Sequence, residues 1–161
     1  MFPRSEPRTT QSALPNPADL PRVFLDADAI VAGSASTTGA AHLILQLGEV
    51  GVIDVVSSGQ AREEVERVLR RKLPAALPAF TLLADAAVRW IANPPRDNLN
   101  RYAGWADPKD LPILVAAIEE GCASLVTFNK RRFKPEKGSI RVENPGEFIE
   151  RLRSILEKLA E

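Results

Sequence analysis

The chain has 161 residues, 45% hydrophobic, 26% charged and 6% aromatic, with 21 basic and 21 acidic side chains and one cysteine, Cys122. That length suits one domain with a sizeable core, and the composition excludes a disordered chain, a disulfide-stapled miniprotein and a collagen-like repeat. A lone cysteine, no apolar run near the ~20 residues that span a bilayer and no signal-peptide core predict a cytoplasmic protein with no membrane partner.

Residues 1–21 hold five of the thirteen prolines among Ser, Thr, Gln and Asn and read as a flexible arm; residues 22–161 read as one domain. Val23-Phe24-Leu25 is a short apolar run, predicted as a buried strand ending at Asp26. Helical segments follow over 29–33 and 38–47, with a break around 34–37. A β-rich run covers 51–56, and Ser57-Ser58-Gly59 starts a helix. Ala61, Val65, Val68, Leu69 and Leu73 then give the stripe of an amphipathic helix, which Pro74 ends. A further helix over 75–87, a strand over 88–92 and a polar loop lead to Asp107. Asp110 opens a helix over 111–120, where Pro112 is tolerated because first-turn N–H groups have no intrahelical partner, and Gly121 closes it. Strands over 123–127 and 140–142 precede a terminal helix with the stripe Phe148, Leu152, Ile155, Leu156 and Leu159. Apolar strands alternating with helices predict an α/β sandwich around a central, mainly parallel sheet.

Ligands of open parallel sheets bind beyond the carboxyl ends of the strands. Those ends carry Asp26 and Asp28 after the first strand and Thr127 and Asn129 after the 123–127 strand, while Asp107 and Asp110 stand before the helix leading into it. Clustered oxygen donors of this kind suit Mg²⁺ or Mn²⁺. On the 60–73 helix, Glu63 points away from the core, whereas Glu64 and Glu66 flank the apolar stripe on either side; geometry leaves both open. Two basic runs stand out: Arg67, Arg70, Arg71 and Lys72, and Lys130, Arg131, Arg132, Lys134 and Lys137. They suit a polyanion or a solvated face. Asp110 also fits a plain helix N-cap. His42 reads as packed or exposed, and Cys122 as a buried small hydrophobe.

The order of these segments resembles that of PIN-domain nucleases. Val23-Phe24-Leu25-Asp26-Ala27-Asp28 is similar to the family's opening strand, apolar-apolar-Asp-x-Asn. Glu64 to Leu69 resembles its Glu-x-x-x-Val-Leu helix and selects Glu64. Asp107-Pro108-Lys109-Asp110 resembles its third acidic motif. Leu125 to Phe133 resembles its Val-Thr-x-Asp/Asn segment, and Val142 to Phe148 its last strand and helix start. The likeness covers about residues 22–156. It implies a three-layer PIN-like α/β/α sandwich and a Mg²⁺- or Mn²⁺-dependent endoribonuclease of the kind found as toxins in VapC-type toxin–antitoxin pairs, homodimeric and silenced by an antitoxin. It implies Asp26, Asp110 and Glu64 as metal ligands, with Asn129 completing the catalytic set. Asp28, Asp107 and Thr127 are then orienting groups, and Lys130, Arg131 and Arg132 hold RNA phosphates. Two departures stand out: Asp28 where the family usually has Asn, and Asn129 at the fourth acidic position.

Two other readings compete. The first strand also resembles that of haloacid-dehalogenase-like phosphatases, but their later acidic pair is missing, since no Asp follows Thr127. A PIN-like RNA-binding or protein-interaction module with a weakened site is the alternative that Asn129 motivates.

Overall fold

The computed structural model describes residues 20–160; the proposed arm at 1–21 lies almost wholly outside them. Five strands form one sheet: β1 (Arg22–Leu25), β2 (Asp54–Ser58), β3 (Val88–Ile91), β4 (Ser124–Val126) and β5 (Arg141–Glu143). Their order is β3-β2-β1-β4-β5, with every pairing parallel. β1 is central, and Val23, Phe24 and Leu25 are fully buried, as expected for a strand covered on both faces.

Helices α1 (Ala27–Ala35), α2 (Ala40–Glu49) and α3 (Gly59–Lys72) come first. Next is α4, a helical stretch over 74–87 that tightens at Pro74–Ala76 and loosens to a π turn at Phe80–Ala84. After these come α5 (Arg96–Leu99), α6 (Leu111–Glu119) and α7 (Pro145–Leu159). The path β1→β2→β3 runs outward along one half of the sheet, while β3→β4 crosses back to the other half. Right-handed crossovers therefore put α1 to α4 on one face and α6 on the opposite face. The packing agrees, with α1 against α2 and α3, α2 against α7, and α6 against β2, β4 and α5. The result is the expected three-layer sandwich with an all-parallel sheet.

Local chemistry sets the element boundaries. The Asp26 side chain caps α1, so that helix begins at Ala27 rather than Ala29. Ser58 caps α3 by accepting from the Ala61 N–H. The run at 51–56 starts its strand only at Asp54, because Gly51, with φ +80°, makes a turn that L side chains rarely adopt. The sheet order also reverses direction between β1 and β4, and their carboxyl ends open a crevice there.

Candidate active site

Asp26 lies one residue beyond β1. Its N–H donates to the Val126 carbonyl at 2.9 Å, which continues the β1–β4 ladder to the sheet edge. The side chain is 7% exposed. One carboxylate oxygen, Oδ1, accepts from the Ala27 N–H at 2.8 Å and Oδ2 accepts from the Thr127 hydroxyl at 2.9 Å. Burial is the main influence on its acidity, followed by the charge of Asp28, with a smaller push from Glu64; the two hydrogen bonds act in the other direction. The outcome is a carboxyl raised from 3.8 to about 7.

Asp28, two residues further and in the first turn of α1, is held by donors from the 127–129 segment. Its Oδ2 accepts from the Thr127 hydroxyl at 3.3 Å, the Phe128 N–H at 3.1 Å and the Asn129 side-chain amide at 3.0 Å, and its Oδ1 accepts from Phe128 at 3.3 Å. Asn129 also donates its backbone N–H to the Thr127 hydroxyl at 3.1 Å. Burial raises the Asp28 carboxyl above its ordinary range, against these donors. The two departures from the resembled pattern are therefore one arrangement, an acid at 28 facing an amide at 129 where the usual order has the amide first. We expect Asn129→Asp to set two carboxylates against each other and weaken the site about tenfold or more. The exchange Asp28→Asn with Asn129→Asp should recover most of that loss, as measured by metal affinity in calorimetry.

Glu64 comes from α3, whose amino end is tied down twice. The Gln60 N–H donates to the Asn93 side chain at 2.8 Å, and the Gln60 amide donates to the Lys109 carbonyl at 2.9 Å. This second bond fastens α3 to the turn carrying Asp110. Glu64 and Asp110 consequently line one cleft of about 520 Å³, together with Gln60, Arg67, Arg71, Lys109 and Arg132. Glu66, which sequence geometry could not separate from Glu64, is held elsewhere by Arg62 at 3.3 Å and Arg70 at 3.7 Å. Glu63 is exposed.

Asp110 occupies the N-cap position of α6, yet its side chain caps nothing, and its Oδ2 is buried with no hydrogen-bond partner among the described residues. A buried carboxylate oxygen without a donor is costly and is relieved by a cation. Among the described residues, no three His, Cys, Asp or Glu side chains stand close enough to cage an ion by themselves. A donor set of few carboxylates suits Mg²⁺ better than a soft metal, because Mg²⁺ keeps water and phosphate oxygens in its shell. The residues present fit such an ion.

The remaining candidates separate. Asp107 is exposed and acts through its backbone, its carbonyl accepting from the Asp110 and Leu111 N–H groups at 2.9 Å. Lys130 is engaged with Glu147 at 2.7 Å. Arg131 is exposed, and Arg132 reaches the cleft. His42 contacts the Gly33 carbonyl through Nδ1 at 2.8 Å and so ties α2 to α1. Cys122 is buried, and desolvation pushes its thiol up to about 12. Sequence reasoning missed Gln60 and Lys109; only the packing of α3 against the 107–110 turn reveals them.

The family model described as "PIN domain" matches residues 22–131. Among solved structures, the chain is similar to VapBC2 from Rickettsia felis bound to a DNA fragment from their promoter, with a TM-score of 0.54 and 16% identity over 76% of this chain and 98% of that one. It is also similar to Mycobacterium tuberculosis VapC20, a sarcin-ricin loop cleaving toxin, with a TM-score of 0.44 and 17% identity over 64% of this chain and 86% of that one. No curated protein sequence matches it.

Proposed function

The chain belongs to the PIN domain family, and from that premise we propose that it is a Mg²⁺- or Mn²⁺-dependent endoribonuclease, the toxin of a toxin–antitoxin pair. The observation that carries the proposal is the buried, unpartnered Asp110 Oδ2, set in a cleft with Glu64 whose charge also acts on Asp26.

Asp26, Asp110 and Glu64 would hold the cation, in part through bound water, since among the described residues no three such side chains stand close enough to cage it directly. When bound, it supplies Lewis-acid chemistry, polarising the phosphodiester and acidifying a water molecule for attack. The chain's own groups do the rest. The Thr127 hydroxyl sits between Asp26 and Asp28 and fixes the rotamers of both. Asn129 and the Phe128 N–H hold Asp28 in place, which keeps its charge beside Asp26. Arg132 offers its guanidinium to the phosphate beside the cut, with geometry suited to two oxygens at once. Asp107 supports Asp110 through the backbone turn. Of the three basic residues after Asn129, Lys130 would have to leave Glu147 before it could bind phosphate.

The toxin reading carries its partners with it, an RNA substrate in the cytoplasm, a second copy in a homodimer and an antitoxin protein. Among the described residues, no helix is long and apolar enough to cross a membrane. Asn129, an amide at the fourth acidic position whose side chain donates to Asp28, favours a second reading, a PIN-like module that binds RNA or protein without cutting.

The test is a panel of structured and single-stranded RNAs incubated with the protein in Mn²⁺ or Mg²⁺. We expect cleavage that EDTA stops. Absence of cleavage on every RNA, together with no calorimetric heat of metal binding, would establish the module instead.

A further inference from the structure

Five cations line the cleft beside Glu64 and Asp110: Arg67, Arg71, Lys72, Lys109 and Arg132. None of the five makes an ion pair among the described residues, whereas their neighbours on α3 do. Arg62 pairs with Glu66 and Asp85, and Arg70 pairs with Glu66. The helix thus has one face of neutralised charge and one of unspent positive charge.

The spacing of the second face is regular. Gln60, Glu64, Arg67, Val68, Arg71 and Lys72 follow one another at intervals of three, four or one, and all line the cleft. Each helical turn advances about 5.4 Å, so Arg67 stands about one turn from Glu64 and Arg71 about two. A favourable interaction with the helix dipole accounts for cations in the last turn. It does not account for Arg67 in the middle of α3, nor for Lys109 and Arg132 arriving from other elements. Lys109 is brought there by the Gln60 bond to its carbonyl. Among the described residues, the acidic side chains lining the cleft are Glu64 and Asp110, and the proposed chemistry already claims both.

We propose that this stripe of α3 is the track of the RNA backbone: Arg67 and Arg71, backed by Lys72 and Lys109, hold successive phosphates on one side of the bond to be cut. The inference rests on the ribonuclease reading and extends it. From Arg132, beside the cut, the strand runs along α3 rather than over Lys130, which is already paired with Glu147. Side chains that hold phosphates carry no base information, so this track binds single strands with little regard to sequence.

The test uses the full chain in EDTA, so that no cutting intervenes, and reads fluorescence anisotropy of a labelled oligouridine across a salt series. For single strands, the dependence of log affinity on log salt weakens by about 0.7 for each phosphate the protein ceases to neutralise. Arg67→Gln with Arg71→Gln should flatten the slope by about 1.4 and lower affinity at least about tenfold. Both positions are exposed, and an unchanged circular-dichroism melt confirms folding. Arg70→Gln with Arg153→Gln removes the same charge from exposed, ion-paired positions off the cleft and should leave the slope as in the parent. Equal flattening by both pairs, or by neither, overturns the track. If neither flattens it while Mn²⁺-dependent cleavage persists, the enzyme stands and only the track falls. If the parent protein neither binds nor cuts RNA, the ribonuclease reading falls with it. Binding of a polyglutamate peptide in place of RNA, abolished in the Arg67/Arg71 pair, would assign the stripe to an acidic protein and overturn the proposal.

Discussion

Replacing Asp26 with Asn should abolish metal-dependent RNA cleavage and, at the same time, make the metal-free protein more stable above neutral pH. The first half follows from the ligand role proposed for Asp26, since the Lewis acid it would help to hold is worth several kcal/mol, roughly a thousandfold in rate. The second half follows from the buried carboxyl. Asp26 titrates at about 7 in the folded chain against an ordinary 3.8. Between those values, the folded state binds more protons than the unfolded one, so stability falls as pH rises. The favourable protonated state is fully present below pH 4 and is lost as pH climbs through 7. At about 1.4 kcal/mol per unit, the ionised group opposes folding by roughly 4 kcal/mol at pH 8. An amide retains an oxygen for the Ala27 N–H and can donate to Thr127, whose hydroxyl then turns to Asp28. Thermal melts of the two proteins in EDTA should therefore nearly coincide at about pH 3.5 and diverge by several degrees at about pH 8, with the variant higher. Added Mg²⁺ should narrow the gap by stabilising only the parent. A variant that melts lower than the parent at pH 8 would contradict this account of the site.

Arg151→Ala should cost about 3 kcal/mol and lower the melting temperature by roughly 10 °C. Arg151 donates to both oxygens of Glu143, at 2.6 and 3.1 Å, and to the Ser124 hydroxyl at 2.9 Å. Glu143 is 6% exposed, so truncating the arginine strands a buried carboxylate with only Ser124 and a loose approach of Arg141 at 3.9 Å. Adding Glu143→Gln to Arg151→Ala should recover part of the loss, and a double-mutant cycle from urea titrations measures that recovery. The same change reaches the site, because the Thr127 N–H donates to the Glu143 carbonyl at 2.9 Å. Loosening β5 frees the residue that spaces Asp26 from Asp28.

The fold is largely legible in the sequence because its signals are local. Val23 to Leu25 has the apolar character of a covered strand, and the α3 stripe has one period throughout. Boundaries blur where a side chain decides them, as with the Asp26 cap on α1 and the turn that delays β2. At the site, position along the chain is readable and partnership is not. Glu64 and Glu66 flank the same stripe, and only ion pairs made by Arg62 and Arg70 set Glu66 aside. Asp110 has the spacing of a cap, and only its missing hydrogen bond shows otherwise. By sequence Lys130 is as available as Arg132, and only the fold brings Glu147, from the first turn of α7, to take it up. The exchange of acid and amide between 28 and 129 reads as two separate oddities in the sequence and as one hydrogen bond in the structure.

The bond from Thr127 to Asp26 joins residues 101 positions apart. A ribosome adding about 5–20 residues per second needs roughly 5–20 s to travel that distance. For that interval Asp26 and Asp28, joined later by Glu64, have no β4 to be buried against, and the two aspartates stay hydrated. The arrangement of Asp26, Asp28 and Thr127 cannot form on the ribosome until residue 127 has been added. If the chain is the toxin proposed above, it is born harmless, and a waiting antitoxin could meet it before it could act.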